Sequence, residues 1–106
     1  MDVQAHIQKL CKQIVDAFRP QKVILFGSYA YGTPNFDSDI DLLVVMPFEG
    51  QVHDQAVKIR RGLDSSMPVD LLVRTPEQVR ERVEMEDFFM REIVEQGKVL
   101  YETDHA

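Results

Sequence analysis

The sequence predicts an α/β (α+β) domain: a small mixed β-sheet with helices packed on it, in about two layers. Three observations predict this. Apolar residues recur at helical spacing near the start, at Ile7, Leu10, Cys11, Ile14, Val15 and Phe18. Aliphatic runs of strand length then appear as KVILF, IDLLVV and VDLLV, each with glycine or proline close to one end. Helical patterning returns between and after the later runs. At 106 residues, 44% apolar and 28% charged, the chain suits one domain with one core, and residues 1–106 read as a single unit. No linker, low-complexity segment or repeat period interrupts it.

The first helix takes Asp2 as its cap, and Pro20 lies just past its end. Cys11 falls on its apolar stripe and reads as a small core residue. Lys22 to Phe26 is the first strand, ended by Gly27, with a polar loop through Gly32, Thr33, Pro34 and Asn35 after it. Ile40 to Val45 is the second strand, and its unbroken apolar run implies burial on both faces. Val52, Ala56, Ile59 and Leu63 are spaced four, three and four apart and predict a helix over Gln51 to Asp64. Val69 to Val73 is the third strand. Thr75-Pro76-Glu77-Gln78 is a helix start, with threonine as cap, proline in the first turn and Gln78 closing a capping box. Helical pattern then runs through Val79, Val83, Phe89 and Ile93, with a break near Met85, and Gly97 stops it. Val99 to Tyr101 is a short last strand, and the tail ETDHA is expected to be loose.

The formal charge is −6, and the densest basic spot is Lys58, Arg60 and Arg61. Direct binding of a nucleic-acid backbone needs a basic patch, so it is not expected here. One cysteine permits no internal disulfide and fits a reducing compartment. The N-terminus MDVQAHIQKL lacks the pattern of a signal peptide, and no apolar run approaches the ~20 residues of a membrane span. The expected location is the cytoplasm, with no membrane contact. His6, His53 and His105 show no ligand spacing and read as surface residues.

The chemistry gathers in GSYAYGTPNFDSDIDLLVV, residues 27–45. Asp39 and Asp41 are two apart on an extended chain, so they project from one face. If the third strand lies beside the second, Asp70 joins them. Two like charges ~4 Å apart repel by ~4 kcal/mol at an effective dielectric of ~20. A small domain escapes such repulsion by protonating a carboxyl or by binding a cation. All-oxygen ligands favour Mg²⁺, Mn²⁺ or Ca²⁺ over zinc. An EF-hand is excluded because its glycine and glutamate positions hold Leu42 and Phe48. A P-loop is excluded because Thr33 and Pro34 follow the second glycine. Gly27 after a strand permits a sharp turn, and its free amides with the Ser28 hydroxyl suit phosphate oxygens. Phosphate beside a divalent cation is the setting of phosphoryl and nucleotidyl transfer.

GS, ten residues, then DID, with a third aspartate on a later strand and the closing REIVEQGKVLYE, resembles the DNA polymerase β-like nucleotidyltransferase superfamily. Within it the chain is most similar to minimal nucleotidyltransferase (MNT) domains, many of which pair with HEPN proteins as toxin–antitoxin systems. The resemblance covers nearly the whole chain. It implies that Asp39 and Asp41 bind two divalent ions, Mg²⁺ or Mn²⁺, that Asp70 binds the catalytic one and helps deprotonate the attacking hydroxyl, and that Gly27 and Ser28 hold the triphosphate of ATP. It further implies AMP transfer to a tyrosine of a HEPN-type partner, which would silence a ribonuclease toxin. Tyr31 stands where many relatives carry a basic residue, in GS-x-x-R/K-G, which shifts that task to Lys58, Arg60, Arg61 or Arg74 or weakens activity. A chain of this length is expected to lack a nucleic-acid-holding domain, so the acceptor is expected to bring its own docking surface, and Phe88-Phe89-Met90 is a candidate contact patch. Two alternatives stay open: a binding protein that masks its partner without chemistry, and nucleotidyl transfer to a small molecule.

Overall fold

The computed structural model describes residues 2–103, so the last three residues of the tail, and His105 with them, lie outside the described part. Helix α1 spans Val3–Phe18, with the Asp2 carboxylate accepting from the Ala5 amide at 3.2 Å. It buries Ile7, Leu10, Cys11 and Ile14, so the periodic stripe is the packed face. Strand β1 spans Lys22–Phe26 as predicted. The loop expected next begins instead with one turn of helix, α2 at Ser28–Tyr31, where the Gly27 carbonyl accepts from the Ala30 and Tyr31 amides at 3.0 Å each. A single turn is too short to show a hydrophobic period.

Strand β2 is Ile40–Val45. Helix α3 is Val52–Arg61, shorter than the periodicity suggested, because Gly62 and Leu63 tighten its end with bonds to Ile59 and Arg60. Strand β3 is Val69–Arg74, helix α4 Pro76–Glu84, helix α5 Phe88–Gln96 and strand β4 Lys98–Glu102. The expected break near Met85 is real: Glu86 takes a positive φ of 58°, and Asp87 caps α5 through the Met90 amide at 3.1 Å.

The capping box of α4 is complete. The Gln78 amide donates to Thr75 Oγ1 at 3.1 Å, and the Thr75 amide donates to Gln78 Oε1 at 2.9 Å. Thr75→Ala should therefore cost about 1 kcal/mol and lower the melting temperature by roughly 4–8 °C. A thermal melt checks this, and an unchanged midpoint would mean that packing alone holds the helix start.

The sheet order is β3-β2-β1-β4. Strands β1 and β2 are antiparallel, as are β1 and β4, while β2 and β3 run parallel through the α3 crossover. Burial on both faces of β2 adds a layer to the two expected. Ile40, Leu42 and Val44 pack with α1 and α3 through Ile7, Leu10, Ile14 and Ile59. Leu43 and Val45 pack on the other face with Ile24, Phe26, Met90 and Ile93. The sheet is thus the middle of three layers, because a continuous aliphatic strand offers apolar side chains to both sides. No described helix is long and apolar enough to cross a membrane.

Candidate active site

The register of three strands builds the site. Asp41, the second residue of β2, lies opposite Phe26 on β1 and opposite Asp70 on β3. Residues opposite one another on adjacent strands point to the same face. Asp41 shares its face with Leu43 and Val45, and Asp70 shares its face with Leu72, so both carboxylates project on the α4–α5 side. Asp39 precedes the strand, with the fully buried Ile40 between it and Asp41, so the alternation puts it on that side too. A self-bonded turn delivers it: the Asn35 amide donates to Ser38 Oγ at 2.9 Å, and the Asp37 amide to Asn35 Oδ1 at 2.8 Å.

The charges of Asp70 and Asp39 act on Asp41. Asp41 is pushed up to about 6, first by burial, then by the charge of Asp70 and then by that of Asp39. Among the described residues no ion pair includes any of the three. As their side chains stand, no three His, Cys, Asp or Glu of the described residues form a closed ligand group for a metal ion. Backbone register brings Asp41 and Asp70 together against their mutual repulsion. The donor set is all oxygen and uncompensated, which suits a hard divalent cation.

Gly27 ties the turn to the carboxylates. Its φ is 73° and ψ −161°, and a side chain there would run into the Asp41 carboxylate. The start of α2, whose leading amides have no intrahelical acceptor, therefore lies directly against Asp41. Tyr31 belongs to the same neighbourhood. Burial pushes its phenol up, the charges of Glu92 and Asp41 add to that, and a hydrogen bond with the Gly27 backbone opposes it.

Glu92, on α5, has no sequence signal that could have marked it; it becomes visible only when α5 docks beside α2. Of the four basic candidates, Arg60 donates to the Val69 carbonyl at 2.9 Å, next to Asp70, whereas Arg74 sits at the far end of β3. In the apolar triplet, Met90 is buried at 3% while Phe88 and Phe89 are 76% and 53% exposed, so two of the three stay outside. Phe89 meets Phe26 edge-on at 5.8 Å, beside the carboxylate row, and Phe36, in the loop leading to Asp39, is 97% exposed. His6 departs from its expected surface place: it is half-buried, with Nε2 at 2.8 Å from Ser65 Oγ. The carboxylate row itself is open. A cavity of about 240 Å³ lies at the other end of β1, between Ile24, Val45, Val79 and Val94.

The chain is similar to known proteins in sequence and in fold. The profile of a family described as "Nucleotidyltransferase domain" matches residues 7–101. The chain is 33% identical over 101 residues to a Methanocaldococcus jannaschii protein named "Putative protein adenylyltransferase MJ0604", covering 89% of this chain and 97% of that one. Among solved structures, a Sulfolobus solfataricus protein described as a "putative nucleotidyltransferase" shares the fold with a TM-score of 0.67 at 21% identity, covering 96% of this chain and 82% of that one. A toxin–antitoxin complex with AMP-PNP matches with a TM-score of 0.53 at 26% identity, covering 92% and 74%. A MntA–HepT toxin–antitoxin complex carrying two Asp→Glu changes matches with a TM-score of 0.54 at 27% identity, covering 91% and 73%.

Proposed function

The chain belongs to the nucleotidyltransferase domain family, and from that premise we propose that it moves AMP from ATP to a tyrosine hydroxyl of a HEPN-type partner protein in the cytoplasm, acting as an antitoxin. The observation that carries this reading is the pairing of Asp41 with Asp70 across parallel strands, with Gly27 against Asp41. The likeness to toxin–antitoxin complexes, one of them with an ATP analogue, supports the partner and the nucleotide.

In this reading Asp39, Asp41 and Asp70 would hold Mg²⁺ or Mn²⁺. When bound, the metal supplies positive charge to phosphate oxygens and to the oxygen of the acceptor. Gly27 and Ser28 orient the triphosphate. The acceptor oxygen attacks the α-phosphorus, the bond from that phosphorus to the bridging oxygen breaks, and pyrophosphate leaves. A carboxylate oxygen of Asp70 takes the acceptor's proton. The open row, with the exposed ring of Phe89 packed on Phe26 beside it, suits a folded protein as acceptor rather than a small molecule enclosed in a pocket.

The test combines purified protein, labelled ATP, Mg²⁺ and the product of the neighbouring gene. Label should appear on that product, and Asp39→Asn with Asp41→Asn should remove it. An unchanged rate in the double variant would overturn the metal role. A second reading, masking without chemistry, draws on Tyr31 in a position where charge would help and on the exposed Phe88 and Phe89. It requires that the double variant still neutralise the partner in cells; loss of neutralisation with binding intact eliminates it.

A further inference from the structure

Strand β3 ends the sheet, and its outer edge carries an unusual cover. The Ile40 amide donates to the Pro68 carbonyl at 3.0 Å, and the Met46 amide to the Arg74 carbonyl at 3.1 Å. In a parallel ladder the backbone groups alternate sides, so residues 68, 70, 72 and 74 bond inward to β2. Val69, Leu71 and Val73 turn their backbone groups outward. Arg60 Nη1 donates to the Val69 carbonyl at 2.9 Å, and Arg74 Nη1 donates to the Val73 carbonyl at 2.7 Å. Two guanidiniums from different elements thus occupy the outward carbonyls on either side of Leu71. Among the described residues neither makes an ion pair, although the chain is acidic.

An edge of this kind needs a cover. The sequence VDLLVR is mostly aliphatic, has no internal proline and pairs without a register shift. It is also self-complementary. Antiparallel pairing with a second copy about Leu72 sets Leu71 opposite Val73 and Asp70 opposite Arg74 of that copy, an isologous contact with charges matched. The other edge is protected differently, by the irregularity in β4 opposite Val23 and Ile24. We propose that Arg60 and Arg74 are edge guards: by occupying the outer carbonyls of β3 they keep a second copy of this chain from adding strand to strand. Such a pairing would lay a foreign strand against Asp70, so the guards also keep the carboxylate row open. The inference concerns self-association and stands whether or not AMP is the group transferred.

The full chain is tested by sedimentation across a concentration series, with hydrogen exchange read at the Leu71 and Val73 amides. Wild type should remain monomeric, with exchange at both amides independent of concentration. Arg60→Ala with Arg74→Ala should dimerise at a concentration ~10-fold lower or more, with both amides exchanging more slowly in the dimer than in the dilute monomer. A folded double variant that stays monomeric overturns the proposal. So does a dimer whose Leu71 and Val73 amides exchange as fast as in its dilute monomer, or a wild-type chain that already dimerises with slower exchange at those amides. If the double variant does not fold, each single variant should self-associate more than wild type, and failure of both to do so is equally fatal.

Discussion

Asp41→Asn should abolish nucleotidyl transfer and raise the melting temperature in the same protein. The catalytic loss follows from the row of carboxylates: charge stabilisation by a bound divalent cation is worth several kcal/mol, so a fall of ~1,000-fold or more is expected. The gain in stability follows from repulsion. In the folded chain Asp41 is pushed up from 3.8 to about 6 by burial and by the charges of Asp70 and Asp39. A carboxyl raised on folding binds its proton more tightly in the native state. Its ionised form therefore costs stability, none of it below about 3.8, all of it above about 6, with the loss accumulating between. A shift of this size corresponds to ~3 kcal/mol at most, and solvent access to a half-buried group reduces it to ~1–2 kcal/mol. At pH 8 the variant should melt roughly 5–10 °C higher, and at pH 4 the advantage should nearly vanish. Mg²⁺ should raise the midpoint of the wild type, because a cation that binds only the folded state stabilises it, and should do little for the variant. Equal melts at pH 8 would show that the three aspartates do not repel across the strands.

The sequence carried most of this argument because its key features are local. The alternation of Asp39, Ile40 and Asp41 needs nothing but an extended chain, and the box of Thr75 and Gln78 needs only one helical turn. The step to Asp70 was conditional on β3 lying beside β2, and the parallel register meets that condition in full. What escaped the sequence depends on contacts between distant elements. Glu92 reaches Tyr31 only because α5 and α2 dock on the same rim. Arg60 and Arg74 look like ordinary surface charges until the strand order makes β3 an edge. The turn of α2 escaped for the opposite reason: it is too local, four residues without a period. The third layer was implicit in the apolar run of β2, but which helices covered which face required the topology.

Gly27→Ala should damage both the fold and the reaction, through two separable causes. Its φ of 73° with ψ of −161° lies in a region essentially reserved for glycine, and an alanine held there costs ~1–3 kcal/mol. The added Cβ also meets the Asp41 carboxylate, the far end of a flexible side chain, so the carboxylate swings aside rather than the backbone. Displacement by ~1 Å of a carboxylate proposed to hold the metal is enough to lose ~100-fold in rate. A double-mutant cycle with Asp41→Ala separates the causes, because alanine at 41 removes the obstructing carboxylate but leaves the backbone strain. Gly27→Ala should therefore be less destabilising in the Asp41→Ala background than in wild type, with a coupling of ~1 kcal/mol. Additive effects would mean that the glycine serves the turn alone. A rate for Gly27→Ala within a few-fold of wild type would mean that the position of Asp41 against the turn, on which the whole reading of this rim depends, is not what the chemistry uses.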